Sequence, residues 1–138
     1  MAKDIRECLL EQARKFHQWQ EITYPGKNTE EIGGEWEVDY PAWNDIFDAF
    51  CHVLTQMDAE TADSVLLDEM VYLIARDNEA EGVIQETTSH PQWFECLCRR
   101  AVASNENEAK WQFAAYLPEC SCSQEVRDII LNFAKDPN

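Results

Sequence analysis

Two pairs of cysteines have a spacing that invites comparison with a metal site. Cys96 and Cys98 form one C-x-C pair, Cys120 and Cys122 form a second, and His90 precedes the first. Zinc needs four ligands that converge in a tetrahedron, and its usual motif is C-x-x-C. On a helix, Cys96 and Cys98 would point about 200° apart, because a turn takes 3.6 residues. The pattern therefore predicts no metal and no cofactor, and indicates cysteines that pack as small hydrophobic residues.

A second candidate for chemistry is the row of Asp45, Asp48 and His52. The spacing of i, i+3 and i+7 places them on one face of a helix, where they could bind a metal or transfer protons. Because no fourth ligand is evident, an ordinary solvated row is the favoured interpretation, and His17, at the edge of an apolar helix face, is interpreted as a packing residue. The sequence also has no nucleophile elbow, Gly-rich phosphate loop or H-E-x-x-H motif. The prediction is therefore no enzyme, and a metal-dependent hydrolytic enzyme that uses this row or the cysteines is the alternative.

The charge of the chain is strongly negative and unevenly distributed. There are 27 acidic residues against 11 Lys and Arg, a net charge of −16. Residues 28–75 contain twelve acidic residues and no Lys or Arg. Such a surface repels nucleic acid and anionic membranes and attracts basic proteins. The alternative interpretation is that the acidity only keeps the protein in solution.

Trp36 lies inside the acidic stretch EEIGGEWEVDY, which Gly33 and Gly34 mark as a loop. An aromatic side chain surrounded by charge has the make-up of a binding anchor, and the alternative is that it folds back onto the core. We therefore predict a surface for a basic protein partner that begins in this loop and reaches into the following helix. Its predicted residues are Glu30, Glu31, Glu35, Trp36, Glu37, Asp39, Asp45 and Asp48.

Hydrophobic periodicity predicts one all-α domain over residues 1–138, with six to seven helices. An N-terminal helix within residues 1–21 is followed by an acidic loop at 22–40 and by helical repeats at 41–138. Strand-like alternation is confined to residues 36–40, which are expected to be extended. Helix starts are predicted at Pro41, Ala62, Asn78, Pro91, Asn105 and Ser123.

The second helix has a clear division into two faces. An apolar side is expected to be buried and a polar side to face solvent. The predicted apolar side contains Trp43, Ile46, Phe47, Phe50, Leu54 and Met57. The predicted polar side contains Asn44, Asp45, Asp48, His52 and Thr55. In the third helix, residues 62–76, the inward side is predicted to contain Val65, Leu66, Met70, Leu73 and Ile74.

Two helices of the chain repeat each other weakly. DEMVYLIARDN at 68–78 aligns with RDIILNFAKDPN at 127–138, so that both end in Ala-(Arg/Lys)-Asp. On LIARDN, KWQFAAYL and NFAKDPN, residues 65–138 resemble HEAT-repeat proteins, which implies an α-solenoid in which KWQFAAYL is an outer helix and DIILNFAKD its inner partner. The two segments are about 59 residues apart, more than one HEAT unit of about 40–47, so the implied array is irregular. An irregular helical bundle is the alternative.

The functional expectation combines the helical scaffold with its charge. No apolar run approaches the roughly 18 residues that span a bilayer, and MAKDIRECLL lacks the apolar core of a secretory signal, so reduced thiols and a cytoplasmic location are expected. We predict a non-enzymatic module for binding a basic protein, in its sharper form an immunity or inhibitor protein that neutralises a basic toxin such as a nuclease. A structural subunit of a larger assembly is a further alternative.

Overall fold

The protein is built from α-helices. The computed structural model describes residues 4–27, 36–77 and 81–135, and within these ranges it contains seven α-helices, three short 3-10 segments and no strand. This confirms the predicted all-α fold. The helices are α1 (Ile5–Thr23), α2 (Trp43–Gln56), α3 (Ser64–Arg76), α4 (Gly82–Thr87), α5 (Pro91–Val102), α6 (Asn107–Tyr116) and α7 (Gln124–Lys135). The 3-10 segments are Trp36–Asp39, Ala59–Thr61 and Leu117–Glu119.

The helices pack around α3, which lies at the centre of the molecule. On one side α1 packs against α2 and α3, and on the other side α3 packs against α5 and α6. Helix α7 closes the second half by packing on α5 and α6, and α4 packs on α2. Such contacts occur both in helical bundles and in solenoids, so the resemblance to HEAT repeats stays a prediction.

Aromatic side chains join the N-terminal elements. The Phe16 ring is fully buried, and its centroid lies 5.0 Å from that of Tyr40 and 5.3 Å from that of Trp43. Trp19 and Tyr72 add two further rings at 5.9 and 6.1 Å. Edge-on and tilted rings at these distances attract each other beyond simple burial. The cluster therefore fixes the chain between α1 and α2 against the core at Tyr40.

Side-chain caps explain where several helices begin. Asp63 accepts a hydrogen bond from the backbone N–H of Leu66 at 3.0 Å, so α3 begins at Ser64, two residues later than predicted. The Oγ of Ser123 accepts from the N–H of Val126 at 3.3 Å, which confirms Ser123 as the cap of α7. Each bond satisfies one of the backbone donors that a helix start leaves without an intrahelical acceptor.

Two other predicted starts differ in position, and a third lies outside the described residues. Pro91 is the first residue of α5, as predicted, whereas Pro41 lies in a turn ahead of α2. Glu106 rather than Asn105 flanks α6, because Ser104 Oγ already accepts a bond from the Glu106 N–H at 3.1 Å. Asn78 lies outside the described ranges, and α4 begins after Glu81.

Three predictions of local structure were wrong. Residues 36–40 are not extended: Trp36–Asp39 forms a 3-10 segment, because the backbone turns to bring Tyr40 into the aromatic cluster. Phe47 and Val65 were expected inside, but they are 36% and 55% exposed. The core of α2 is filled by Ile46, Ala49, Phe50, Val53 and Leu54, and that of α3 includes Leu66, Met70, Leu73 and Ile74.

A candidate protein-binding face on α2

The outer side of α2 is polar along its whole length. Asp45, Asp48, His52 and Thr55 are exposed, as the sequence predicted. They recur every three or four residues, so they lie on one side of the helix while the apolar residues point to the core. We call these four residues, together with the exposed Asp39 just before the helix, the α2 face.

In the part of the chain that the structure describes, the carboxylates of the α2 face have no cation opposite them. Among the described residues, no Lys or Arg forms an ion pair with Asp39, Asp45 or Asp48. The arginines are engaged elsewhere in the molecule. Arg6 meets Asp63 at 2.6 Å, Arg100 meets Asp68 at 2.7 Å, and Arg99 meets Glu125 at 2.8 Å. The negative charge of the α2 face is therefore left for interaction with solvent or with another molecule.

The field of these carboxylates reaches neighbouring groups. Burial raises the pKa of the Tyr40 phenol, and the charge of Asp45 adds to the shift. Burial likewise raises the pKa of the Cys51 thiol, with further contributions from Glu86 and then Asp48. Since Glu86 belongs to α4, the negative field extends from α2 onto the adjacent helix.

An exposed aromatic ring lies beside this acidic surface. Phe47 precedes Asp48 by one residue, points about 100° away from it around the helix, and is 36% exposed. A Cβ atom placed on Gly82 would lie 3.6 Å from the Phe47 ring, so the ring rests against the first residue of α4. Helical spacing predicted a buried Phe47 because it borders the apolar stripe. The periodicity of α2 does not show where α4 packs, and α4 covers only part of the ring.

The structure separates the predicted binding residues into three groups. Asp39, Asp45 and Asp48 are exposed near or on α2. Glu37 was predicted to lie on the outer acidic surface, but it is only 3% exposed and thus does not belong to that surface. Trp36 begins the 3-10 segment, but its side chain lies outside the described part of the molecule, as do Glu30, Glu31 and Glu35. Whether any of them binds a partner stays a prediction.

Glu37 is buried because it faces an equally buried arginine. Arg76 Nη1 lies 3.7 Å from Glu37 Oε1, and Arg76 Nη2 donates a hydrogen bond to Glu106 Oε2 at 2.9 Å. The guanidinium also lies 5.2 Å from the centre of the Tyr72 ring. Trp43 Nε1 donates to the Glu37 carbonyl oxygen at 2.7 Å. A buried carboxylate needs such a counter-charge, so this network holds the 3-10 segment on α3.

Two further side chains of α3, Glu69 and Tyr72, contact residues of α1. His17 Nε2 lies 3.0 Å from Glu69 Oε2, and the His17 ring stacks on Tyr72 at 4.5 Å. The Tyr72 hydroxyl donates to Gln20 Oε1 at 2.7 Å. Burial, the largest cause, raises the pKa of Tyr72 to about 12. These contacts join α1 to α3 and give His17 the packing role that its position indicated.

Two of the four C-x-C cysteines, Cys98 and Cys120, are buried. Burial raises the pKa of Cys98 to about 12 and that of Cys120 to about 11, and the neighbouring Cys122 adds to both shifts. Thiols with raised pKa values are poor nucleophiles. In the ranges that the structure describes, no group of three or more His, Cys, Asp or Glu side chains is arranged to hold a metal ion.

Comparisons with known proteins leave the structure itself as the basis for interpretation. No protein-family model, no curated protein and no solved structure matches this chain. None of the helices in the described ranges has both the length and the apolar character required to cross a membrane. The molecule is thus an all-α protein in which no described Lys or Arg pairs with the carboxylates of the α2 face, and an exposed aromatic ring lies beside that face.

Proposed function

We propose that this protein is a non-enzymatic interaction module whose α2 face binds a basic protein. The observation that carries the proposal is the pair of exposed carboxylates at Asp45 and Asp48, which have no cation opposite them within the described residues. Most arginines of the molecule already meet carboxylates elsewhere. A partner with Lys or Arg side chains would supply what the α2 face lacks.

The two components of the face support different parts of binding. Unpaired carboxylates attract a cationic partner over a distance and raise its association rate, an effect that salt screens over about 8–10 Å. Phe47 offers an apolar contact beside that charge, on the side of α2 that meets α4, and partly exposed aromatic side chains commonly anchor interfaces. The proposal thus assigns recognition to Asp45 and Asp48 and residence time to Phe47.

The sharper form of the proposal is an immunity or inhibitor protein that covers the cationic active site of a basic toxin. A nuclease is the favoured toxin, because an enzyme that binds phosphates carries positive charge at its active site. The net charge of −16 and the small size of the chain support this form. All six cysteines are free, which fits the cytoplasmic location that is part of the proposal.

Charge reversal on α2 tests the proposal. The probes are immobilised basic proteins, among them ribonucleases, deoxyribonucleases and a histone, and binding is measured over a salt series. We expect Asp45→Lys/Asp48→Lys to weaken binding to the preferred probe at least about tenfold, since several kcal/mol are at stake when charges face each other across an interface. Salt should also weaken the remaining binding less than it weakens binding of the wild type.

The matched control changes the net charge by the same amount in another place. Glu119→Lys/Asp128→Lys alters two exposed carboxylates in the C-terminal part of the chain. If both double variants lose affinity equally, attraction depends on total charge and the α2 face is not the interface. If neither loses affinity, the proposed function is wrong. For a nuclease probe, inhibition of its activity by the wild type separates the immunity form from simple binding.

A further inference from the structure

The α2 face ends at a groove that lies between the end of α2 and the beginning of α5. The cavity has a volume of about 440 Å³, within the range of about 300–1,000 Å³ typical of binding pockets. Leu54, Met57, Pro91 and Trp93 give it an apolar part, and the exposed Asp58 lies at its rim. Thr55 belongs both to the α2 face and to the lining of this groove, so the two surfaces are continuous.

A buried tryptophan anchors one wall of the groove. Trp93 is 3% exposed, and its Nε1 donates a hydrogen bond to the Met57 carbonyl oxygen at 3.0 Å. This bond ties the beginning of α5 to the chain that leaves α2. A pre-formed site of this kind binds without first paying for the ordering of its own side chains.

The acidic character continues beyond the first cavity. A second cavity of about 340 Å³ shares Ala59 and Gln92 with the first and is also lined by Glu60. Arg99 lines it as well, but its guanidinium donates to Glu125 at 2.8 Å and is therefore neutralised. Asp58 at the first cavity and Glu60 at the second give this region the same sign of charge as the α2 face.

The geometry points to a seat for one apolar side chain, flanked by Lys or Arg, of the basic protein that binds the α2 face. This inference rests on the proposed function. From Asp45 to Thr55 the helix rises by about 15 Å, at 1.5 Å per residue, so a segment of the partner that follows α2 would reach the groove. Its apolar side chain would contact Leu54, Met57 and Trp93.

The two ends of the groove take different groups. The start of α5 carries the positive end of the helix dipole, so a cation is not expected beside Pro91. Asp58 and Glu60 lie ahead of α3 and would receive the Lys or Arg. This division predicts a preference for peptides in which an apolar residue and a basic residue are neighbours.

Two synthetic peptides test the seat. Both are short and rich in Lys and Arg, and they differ only in a central Leu or Ser. We expect the wild type to bind the Leu peptide about tenfold more tightly, the effect of burying one large apolar side chain, measured by isothermal titration calorimetry. Ser89→Trp, which fills the groove from an exposed position in its lining, should abolish this preference.

Charge variants locate the rest of the binding energy. Asp58→Asn/Glu60→Gln should weaken the Leu peptide several-fold, and Asp45→Asn/Asp48→Asn should weaken both peptides alike. Glu119→Gln/Asp128→Asn is the matched control and should change neither. Circular dichroism melting curves confirm that each variant is folded before its affinity is compared.

The outcomes separate the seat from the proposed function. If the α2 variant loses affinity but the Leu preference is absent or survives Ser89→Trp, the seat is wrong and the α2 face stands. If only the groove variants lose affinity, the groove and the α2 face do not form one binding surface. Both the proposed seat and the proposed role of α2 are then wrong. If no variant differs from the control, both proposals fail.

Discussion

Helices α2 and α3 follow each other in the sequence, and both carry exposed acidic residues, but these residues have different surroundings. Around α3, Asp63 meets Arg6 at 2.6 Å, Asp68 meets Arg100 at 2.7 Å, and Glu69 meets His17 at 3.0 Å. On α2, no Lys or Arg of the described residues pairs with Asp45 or Asp48. The carboxylates of α3 therefore connect helices, whereas those of α2 remain available.

This difference shows that net charge alone does not locate a binding surface. Some of the carboxylates form ion pairs within the protein, and these pairs join α3 to α1 and α5. Such pairs add little stability when exposed, but they reduce the field that a partner would meet. The charge that matters for recognition is the charge that ion pairs within the protein do not neutralise. In the described structure this charge includes that of the α2 face.

The largest predicted effect concerns the buried cation of α3. Arg76→Met should lower the free energy of unfolding by about 3–5 kcal/mol, because Glu37 and Glu106 would lose the guanidinium between them and Glu37 would stay buried. Urea denaturation followed by circular dichroism measures this change. Asp45→Asn/Asp48→Asn should change stability by less than about 0.5 kcal/mol, as expected for exposed residues without partners.

A double variant checks the cause. Removing the Glu37 charge as well, in Arg76→Met/Glu37→Gln, should destabilise less than the sum of the two single changes, because the uncompensated buried charge is gone. Strict additivity would show that Arg76 acts through packing alone. A loss of less than about 1 kcal/mol for Arg76→Met would contradict the assignment of a buried ion pair.

The next effect is a loss of stability at alkaline pH. The folded state raises the pKa of Tyr72 from 10.0 to about 12, so it holds the proton more tightly than the unfolded chain does. The stabilisation of the folded state that comes from protonated Tyr72 is fully present below pH 10 and is lost as the pH rises towards 12. Tyr72→Phe should flatten this decline in the urea midpoint, whereas Gln20→Ala, which keeps the phenol, should retain it. Equal declines in both variants would assign the effect to other groups, such as Cys98.

The α2 face could be predicted from the sequence because it depends only on local periodicity. Asp45, Asp48, His52 and Thr55 recur at helical spacing opposite a continuous apolar stripe, and the structure places all four outside. The exposure of Phe47 could not be predicted in this way. It borders the stripe, and its exposure is decided by how α4 packs, which periodicity within α2 does not reveal.

Glu37 could not be predicted because its partner is remote in the chain. The residue lies in the acidic stretch EEIGGEWEVDY, just after Gly33 and Gly34, and local composition indicated an exposed loop. Arg76 lies 39 residues further on, and nothing in the spacing links the two. Long-range pairing also explains residues 36–40, whose alternation indicated a strand but whose Tyr40 is required in the aromatic cluster.

A smaller effect compares the first carboxylate of α3 with one of α2. Asp63 caps α3 through the Leu66 N–H and also accepts from Arg6, whereas the Asp45 side chain makes neither kind of contact with the described residues. Asp63→Ala should therefore lower the urea midpoint, and Asp45→Ala should leave it unchanged or raise it slightly. Arg6→Gln separates the two roles of Asp63, since it removes the ion pair and keeps the cap. Equal midpoints for the two alanine variants would mean that α3 does not depend on its cap.

The smallest effect is visible only residue by residue. The Arg100 guanidinium, through its hydrogen bonds, holds the pKa of Asp68 below its ordinary value of 3.8, and Arg99 does the same for Glu125. Arg100→Gln should raise the pKa of Asp68 and leave that of Glu125 in place, and Arg99→Gln should do the reverse, as measured by NMR titration of the carboxyl groups. The stabilisation from Asp68 is present above pH 3.8 and is lost as the pH falls through the lower folded value. A shift of both carboxyl groups in either variant would show that they sense the net charge, and the distinction between paired acids on α3 and available acids on α2 would then lose its basis.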